Sequence, residues 1–330
     1  MPDPASAPGA RQDNGHGGHG DDDLATRTYV EHRELLFSLV YNMLGSVADT
    51  EDVLQDTWLS WAARSRAPDA DRIDHPRAYL VRIAVNKALA RHAALSRSRE
   101  TYVGPWLPEP LATPRTGTPA HRDAGDAADA AELAESVSMA LLVVLETLTP
   151  LERAVFVLHE VFGYAHPETA ALLGRSPDAV RQLAHRASRH VQARRPRYRA
   201  DPRLRRQVTE RFAAAVSGGD LRTLLELLAP DVTLWADGGG KAPAAGPRPV
   251  HGRDKVAHLL AKGAGRAPRP LVIRYQHVNG DPSALLFDGA SLFAVLVLDL
   301  APDSRQVCGI YFVTNPDKLH HLTTGKRNDQ

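Results

Sequence analysis

The chain has 330 residues, of which 43% are hydrophobic and 24% are charged, and its formal net charge is +1. This composition is typical of a soluble globular protein, and the length predicts two or three domains. We find no apolar run of membrane-spanning length and no secretory signal, and the single cysteine, Cys308, excludes a disulfide framework and a cysteine zinc site. The sequence therefore predicts a cytoplasmic protein without a membrane anchor.

Residues 1–23 are rich in Gly, Pro, Asp and His and have almost no large apolar side chain. Such a composition is typical of a disordered segment. His16, His19 and the run Asp21 to Asp23 could bind a metal ion loosely. Because a disordered segment does not hold ligands in place, we predict a disordered tail and no specific metal site.

Residues 24–95 have the apolar spacing of three helices. The first ends at Gly45, the second runs from Asp49 to Ala63, and the third begins near Pro76. The second buries Leu54, Trp58 and Trp61. The polar residues are Asp52, Gln55 and Asp56 on the second helix, and Arg82, Asn86 and Lys87 on the third. This separation of charge suits two partners of opposite sign, although a plain helical bundle can also show it.

Residues 96–135 form a linker that is too rich in Pro, Gly and Ala to build a core. Its stretch Trp106–Leu111 reads WLPEPL and would expose a tryptophan and two leucines to water. The prolines stiffen this stretch and lower the entropy that it loses on docking. We therefore predict that it docks on a domain, the alternative being a solvated linker.

Residues 136–199 predict a helix-turn-helix. A helix with one apolar face is followed by a short helix that ends at Gly174, where a glycine tolerates positive φ. Ser176 and Pro177 then suit the cap and first position of the last helix. That helix buries one set of side chains and exposes another. The buried set is Val180, Leu183, Ala184, Ala187 and Val191, and the exposed set is Arg181, Gln182, His185, Arg186 and Arg189.

The charge of this part of the chain favours DNA as a partner. Between Arg175 and Arg211, twelve arginines stand against three acidic residues, a net charge of +9 in a chain of net +1. Arg and Gln side chains read base edges in the major groove, and further arginines bind phosphates. The alternative is a solvated helical hairpin in an arginine-rich protein.

Taken together, EDVLQDTWLSWA, PRAYLVRIAVNKALAR and the following helix-turn-helix resemble the extracytoplasmic-function (ECF) sigma factors of bacterial RNA polymerase over about residues 24–199. The resemblance implies that 24–95 is sigma region 2, that 136–199 is region 4, and that the partners are promoter DNA and core RNA polymerase at its β′ clamp and β flap. The sequence departs from the family's pattern in the loop before Pro76, which offers Ile73 and no aromatic residue as a wedge between bases. The implied contacts are Asp52, Gln55, Asp56 and Trp58 with polymerase, Arg82, Asn86 and Lys87 with the minus-10 element, and Arg181, Gln182, His185, Arg186 and Arg189 with the minus-35 element.

Residues 200–319 predict an α+β domain, in which helices come first and a curved antiparallel sheet follows. The order resembles the SnoaL-like cone of the NTF2-like superfamily over roughly 202–318, and residues 320–330 are left as a tail. The predicted helices are Asp201–Ser217, Leu221–Leu228 and Gly252–Lys262, and the predicted strands are Val232–Trp235, Leu271–Val278, Ser283–Phe287, Ser291–Leu300 and Gln306–Val313.

Three short motifs resemble the signature elements of the SigJ-like ECF subgroup, which has a fused SnoaL-like domain. Without this resemblance, DGGGK would be interpreted as a flexible loop tip and NPDKL as a simple turn. Motifs so far apart and so poor in catalytic groups predict one interdomain contact that regulates sigma activity. They are WLPEPL (Trp106, Leu107, Pro108, Glu109, Pro110, Leu111), DGGGK (Asp237, Gly238, Gly239, Gly240, Lys241) and NPDKL (Asn315, Pro316, Asp317, Lys318, Leu319).

Other functions of the C-terminal domain stay open at this point. A cone of this kind could bind a small apolar ligand, or it could catalyse proton transfer with a carboxylate and a histidine. The candidates for catalysis are Asp237, His251, His277 and Asp288. A repressor with a ligand-sensing domain is a further alternative, although it would have no use for a polymerase-docking helix. We predict a sigma factor with no catalysis of its own, no cofactor and no metal.

Overall fold

The structure is a computed structural model that describes residues 17–67, 73–99, 101–113, 137–194, 201–242, 246–265, 270–302 and 305–324. Of the predicted disordered tail, residues 1–16 lie outside the described residues. Gly17 to Asp23 belong to the first helix, so the prediction of disorder is wrong for them. The reason is that a helix which has already nucleated adds further residues at little cost.

The first helical unit consists of three helices. Gly45 ends the first with a φ of 69°. Ser46 caps the second, because its side chain accepts a hydrogen bond from the backbone N–H of Asp49 at 3.2 Å. The helices are α1 (Gly17–Leu44), α2 (Val47–Ser65) and α3 (Pro76–Arg99).

The second helical unit contains the predicted helix-turn-helix. Gly174 is left-handed with a φ of 62°, and all five apolar side chains predicted to face inward from the last helix are buried. The first helix departs from the prediction, because its second half, Val157–Val161, winds as a π-helix. The α-helices are α4 (Met139–Leu145), α5 (Pro150–Phe156), α6 (His166–Leu173) and α7 (Pro177–Arg194).

The two helical units share one apolar core. Leu36 of the first unit and Val155 of the second belong to the same cluster of buried side chains. Arg153 is only 1% exposed, and its Nε donates a hydrogen bond to the carbonyl oxygen of Asn42 at 2.9 Å. The helices α3 and α6 also lie against each other.

The C-terminal domain has the predicted order of helices and strands, but its sheet is mixed. The strand order is β2-β1-β6-β5-β4-β3, and β1 runs parallel to β6. The prediction of a wholly antiparallel sheet is therefore wrong at this pair, because the long excursion between the two strands lets β6 return in the direction of β1. The elements are α8 (Pro202–Gly218), α9 (Leu221–Leu227), β1 (Leu228–Asp237), β2 (Val250–His251), α10 (Arg253–Ala264), β3 (Leu271–Val278), β4 (Asp281–Asp288), β5 (Ser291–Leu300), β6 (Val307–Val313), a 3-10 turn (Pro316–Lys318) and α11 (His320–Thr324).

Both faces of the sheet are covered by protein. The inner face packs against apolar side chains of α8, α9 and α10. The outer face packs against Leu107 of the linker and against Met139 and Ala140 of α4. The sheet domain therefore contacts both the linker and the second helical unit. Among the described residues, no helix is long and apolar enough to span a membrane.

Candidate functional site

The predicted polymerase-binding residues lie on α2. Asp52, Gln55 and Asp56 are exposed, whereas Trp58 is half-buried with its ring 5.2 Å from that of Tyr29. Sequence reasoning missed Leu59, which is 57% exposed. Positions 52, 55, 56 and 59 have the spacing of one helix face, so the periodicity could have identified this leucine. This face of α2 therefore exposes an apolar side chain beside two carboxylates.

The predicted minus-10 residues lie on α3. Arg82 and Asn86 are exposed and Lys87 is half-buried. The side-chain amide of Asn86 donates a hydrogen bond to the carbonyl oxygen of Arg82 at 2.8 Å, which limits the rotation of this side chain. Ile73, the proposed wedge, is half-buried and packs against the shared helical core.

The predicted minus-35 residues form an exposed face of α7. Two of them already have acidic partners: Arg181 pairs with Asp178, and Nε of Arg186 lies 3.1 Å from a carboxylate oxygen of Glu152. The side chains of Arg181 and Arg186 are nevertheless 58% and 60% exposed. The exposed residues of this face are Arg181, Gln182, His185, Arg186 and Arg189.

The WLPEPL segment contacts region 24–95 through Glu109. The two carboxylate oxygens of Glu109 accept hydrogen bonds from Ser46 Oγ at 3.0 Å and from the backbone N–H of Val47 at 2.8 Å. The backbone carbonyl of Glu109 accepts a hydrogen bond from the hydroxyl of Tyr41 at 2.6 Å. A carboxylate at this position satisfies the free N–H groups that begin α2 and complements the helix dipole. The linker therefore caps the helix that carries the predicted polymerase residues.

The same segment contacts the sheet domain through Leu107. Asp237 is fully buried at the end of β1, and its Oδ2 accepts hydrogen bonds from the backbone N–H of Leu107 and from Lys318 Nζ, both at 2.8 Å. Lys318 Nζ donates in turn to the carbonyl oxygen of Leu107 at 2.5 Å and lies 3.2 Å from the centre of the Trp106 ring. One buried ion pair thus binds both backbone groups of Leu107.

Gly239 of the DGGGK motif allows the groups of this contact to pack closely, because it has no side chain. Gly239 has a φ of 58°, and a Cβ placed there would lie 2.4 Å from Nδ2 of Asn315. That amide donates a hydrogen bond at 2.9 Å to the hydroxyl of Tyr102, which donates to Asp237 Oδ1 at 2.5 Å. Burial, followed by the bond to Asp237, raises the pKa of Tyr102, so this hydroxyl remains a donor.

The remaining motif residues flank the buried pair. Lys241 forms an exposed ion pair with Asp317 at 2.5 Å. The side chain of Asn315 caps the 3-10 turn that begins at Pro316. Pro108, Pro110, Gly238 and Leu319 are buried beside these groups, whereas Gly240 is exposed. The structure therefore brings the three motifs together.

A second set of hydrogen bonds, centred on Asn279, joins the sheet domain to the linker and to α1. The sequence did not predict it. Asn279 has a φ of 51° in the turn between β3 and β4. Its side chain donates to the hydroxyl of Tyr41 at 2.7 Å and accepts from the backbone N–H of Leu111 at 3.2 Å. The Asn-Gly pair is a hairpin signal that could have identified the turn, but not its partners.

The candidate catalytic residues have separate neighbours. Asp237 is occupied by Lys318, whereas Nδ1 of His251 lies 3.0 Å from Thr233 Oγ1. His277 lies on the edge strand β3, and Asp288 is exposed at the end of β4. In the part of the chain that the structure describes, no group of three or more His, Cys, Asp or Glu residues could hold a metal ion.

Comparison with known proteins identifies the two helical units. The family model described as Sigma-70 region 2 matches residues 28–98, and the model described as Sigma-70, region 4, matches residues 138–191. The chain is 37% identical to the ECF RNA polymerase sigma factor SigJ of Mycobacterium tuberculosis, over 87% of this chain and 90% of SigJ. This chain belongs to the ECF RNA polymerase sigma factors.

Further similarity supports this membership. The probable ECF RNA polymerase sigma factor SigI of Mycobacterium tuberculosis is 33% identical over 91% of this chain and 96% of its own length. The crystal structure of Mycobacterium tuberculosis SigJ matches with a TM-score of 0.65 and 34% identity, covering 89% of this chain and 98% of that chain. These matches confirm the predicted fold class, two all-α sigma domains followed by an α+β domain of the SnoaL-like type.

The family sets the biochemical activity. As an ECF sigma factor, the protein binds core RNA polymerase, recognises promoter DNA and initiates transcription. Members of this family are initiation factors and not enzymes. The first helical unit is hereafter called region 2 and the second region 4.

Proposed function

We propose that the sheet domain restrains this ECF sigma factor by holding the linker against region 2 and by packing against region 4. The observation that carries the proposal is the buried pair of Asp237 and Lys318, which binds both backbone groups of Leu107. Removing one partner of such a pair leaves an uncompensated buried charge, which costs about 3–5 kcal/mol. The pair therefore selects one position of the linker on the sheet domain, because any other position would leave a buried charge without its partner.

The distance between the two promoter elements explains why this restraint would oppose promoter binding. At ~3.4 Å per base pair, promoter elements about 25 base pairs apart lie on the order of 85 Å from each other along straight B-DNA. Here α3 of region 2 contacts α6 of region 4, and the two regions share one core. The regions must therefore separate before each can bind its own promoter element. Contacts that hold the linker to region 2 and to the sheet domain oppose that separation.

We also propose which residues bind polymerase and which bind promoter DNA. The exposed face of α2 would contact the β′ clamp of polymerase, and region 4 would contact the β flap. Basic and amide side chains on α3 and α7 would contact the minus-10 and minus-35 elements. The residues are Asp52, Gln55, Asp56 and Trp58 for polymerase, Arg82, Asn86 and Lys87 for minus-10, and Arg181, Gln182, His185, Arg186 and Arg189 for minus-35. Because polymerase and promoter are its partners, we expect the protein to act in the cytoplasm.

A small apolar ligand of the sheet domain has less support from the packing. Apolar side chains already cover both sheet faces. Two cavities described in this domain, of about 700 and 460 Å³, are lined by several polar and charged side chains, arginines among them. An apolar ligand would have to displace side chains of the linker, of α4 or of the helices α8 to α10.

The test is transcription in vitro with purified core polymerase and the variant Trp106→Ala, which removes the ring beneath Lys318. We expect more transcript than with the unaltered protein, because the restraint on the linker is weakened. Leu259→Ala is the control, since Leu259 is a 46% exposed apolar residue of α10, a helix that packs on the sheet face opposite to the linker. Equal output from both variants and the unaltered protein would mean that the sheet domain does not restrain the sigma regions.

A further inference from the structure

The corner between α1 and α2 is contacted by charged side chains from two other parts of the chain. Helix α1 ends at Leu44 and α2 begins at Val47, so the last carbonyl groups of one helix lie close to the first N–H groups of the other. The carbonyl end of a helix carries a partial negative charge and favours a cation, whereas the N–H end favours an anion. The linker supplies the anion, because the carboxylate of Glu109 caps the start of α2. Region 4 supplies the cation.

Arg153 of α5 is the cation at the carbonyl end of α1. Its Nε donates a hydrogen bond at 2.9 Å to the carbonyl oxygen of Asn42, which lies in the last turn of α1. The side chain of Arg153 is only 1% exposed, so solvent and salt screen this contact little. A hydrogen bond from a charged donor is also stronger than one between neutral groups. The bond joins region 4 directly to region 2, and neither the linker nor the sheet domain takes part in it.

Gly45, in the corner itself, lies against both the linker and region 4. A Cβ placed on Gly45 would lie 3.1 Å from Oε1 of Glu146, 3.4 Å from Cβ of Pro108 and 3.5 Å from Nη2 of Arg153. The carbonyl oxygen of Gly45 accepts a hydrogen bond from the backbone N–H of Glu109 at 2.8 Å. The contacts of the linker and of Arg153 with this corner are therefore adjacent, but they use different atoms.

Arg153 has its counter-charge within region 4. Its Nη1 lies 2.6 Å from Oε1 of Glu146, the residue that caps the end of α4. Because both residues belong to region 4, this ion pair can stay intact when the two regions separate. Separation then replaces the bond to Asn42 by bonds to water, and it leaves no buried charge without its partner. The contact is therefore specific to the closed arrangement and can still be released reversibly.

We propose that Arg153 locks region 4 directly onto the carbonyl end of α1, in addition to the restraint by the sheet domain. This inference rests on the proposed function, in which the two regions must separate before they bind the promoter. Release of the linker alone leaves the bond between Arg153 and Asn42 in place, so full separation requires both contacts to break. Arg153 is a positioning residue, because it sets the position of region 4 relative to region 2.

The distance between the two regions tests this lock in the full chain. Nitroxide labels on Ala63→Cys of α2 and Ala193→Cys of α7, both exposed positions, report the distance by pulsed electron paramagnetic resonance in a Cys308→Ser background. Arg153→Met keeps much of the side-chain length and removes the donor to α1. We expect the ratio of separated to closed molecules to rise at least about tenfold, because only the closed form loses a hydrogen bond from a charged group.

Two further variants are the controls for Arg153→Met. Arg211→Met should leave the ratio unchanged, because Arg211 forms an exposed ion pair with Glu226 within the sheet domain. Arg153→Lys should give an intermediate ratio, since one ammonium group keeps the charge but does not reproduce the fixed fork of the guanidinium. Amide hydrogen exchange in α7 checks that region 4 is folded in each variant.

The affinity for core polymerase gives a readout that a folding defect does not imitate. When only separated molecules bind polymerase, the apparent Kd equals the intrinsic Kd divided by the separated fraction. While that fraction is small, a tenfold rise in it should lower the apparent Kd of Arg153→Met by about tenfold. A poorly folded variant would instead bind polymerase more weakly.

Comparison with Lys318→Met separates this lock from the restraint by the sheet domain. If Lys318→Met lengthens the distance and Arg153→Met leaves both distance and apparent Kd unchanged, the lock is refuted and the restraint by the sheet domain stands. If Arg153→Met lengthens the distance and Lys318→Met does not, the lock stands and the proposed function fails. If Arg153→Met speeds exchange in α4 while the distance stays short, Arg153 only stabilises region 4, and the proposal is wrong.

Discussion

The ammonium group of Lys318 lies 2.8 Å from Oδ2 of Asp237, and these side chains are 3% and 0% exposed. A buried ion pair contributes little net stability, because desolvation of the two charges offsets much of their attraction. Its effect is on specificity, since each charge requires its partner and the backbone groups around it. Here those groups belong to Leu107, so the ion pair selects one position of the linker.

The first prediction concerns this pair. Lys318→Met should leave the carboxylate of Asp237 buried without its cation and weaken the linker contact by about 3–5 kcal/mol. We expect faster amide hydrogen exchange across residues 101–113, measured by mass spectrometry. Lys241→Met is the control, because Lys241 pairs with Asp317 at the surface and such pairs contribute about 0–1 kcal/mol. Equal exchange in the two variants would contradict the role given to Lys318.

The second prediction concerns Gly239. Gly239→Ala places a Cβ 2.4 Å from the buried amide of Asn315, at a φ of 58° that non-glycine residues rarely adopt. We expect a loss of about 1–3 kcal/mol in the free energy of unfolding, measured by denaturant titration.

The control for that variant is Gly263→Ala. Gly263 lies in α10, and a Cβ placed there meets no atom within 4 Å. Alanine is a better helix former, so this change should stabilise the domain by up to about 1 kcal/mol. If Gly239→Ala unfolds with the same free energy as Gly263→Ala, or with a higher one, the steric argument is refuted.

The third prediction concerns DNA reading by α7. Arg181→Ala should cost about 1–3 kcal/mol at one promoter position, because it removes a contact with a base edge. Arg194→Ala should weaken binding to all sequences alike and flatten the salt dependence, because it removes a phosphate contact. Affinities across a promoter library at several salt concentrations separate the two effects. Identical profiles for both variants would show that this division of contacts is wrong.

The fourth prediction concerns polymerase docking. Asp56→Arg and Leu59→Asp should each weaken binding to core polymerase, the first by reversing a charge and the second by removing the exposed apolar anchor. Helical content should stay unchanged because both side chains are exposed on α2. Asp288→Arg is the control, being an exposed reversal of charge on the sheet domain. Holoenzyme formation by native gel titration is the measurement, and equal affinities for all four proteins would exclude this face of α2.

The sequence alone determined the local structure of this protein. The apolar spacing of α7, its cap at Ser176 and the glycine at 174 predicted a helix whose inward side chains are all buried. Such features depend on residues within a few positions of each other, which is why periodicity and capping identify them. The resemblance to ECF sigma factors rests on the same local motifs.

Only the tertiary structure decided which surfaces meet. Tyr102 and Asp237 are 135 positions apart, and Asn279 lies 238 positions from Tyr41, so neither pair leaves a periodic trace in the sequence. The parallel pairing of β1 with β6 could not be predicted from the sequence for the same reason. Burial of apolar surface is non-directional, and it does not specify which surface covers the outer face of the sheet. Buried hydrogen bonds and the ion pair supply that specificity, because each polar group removed from water must find its own partner.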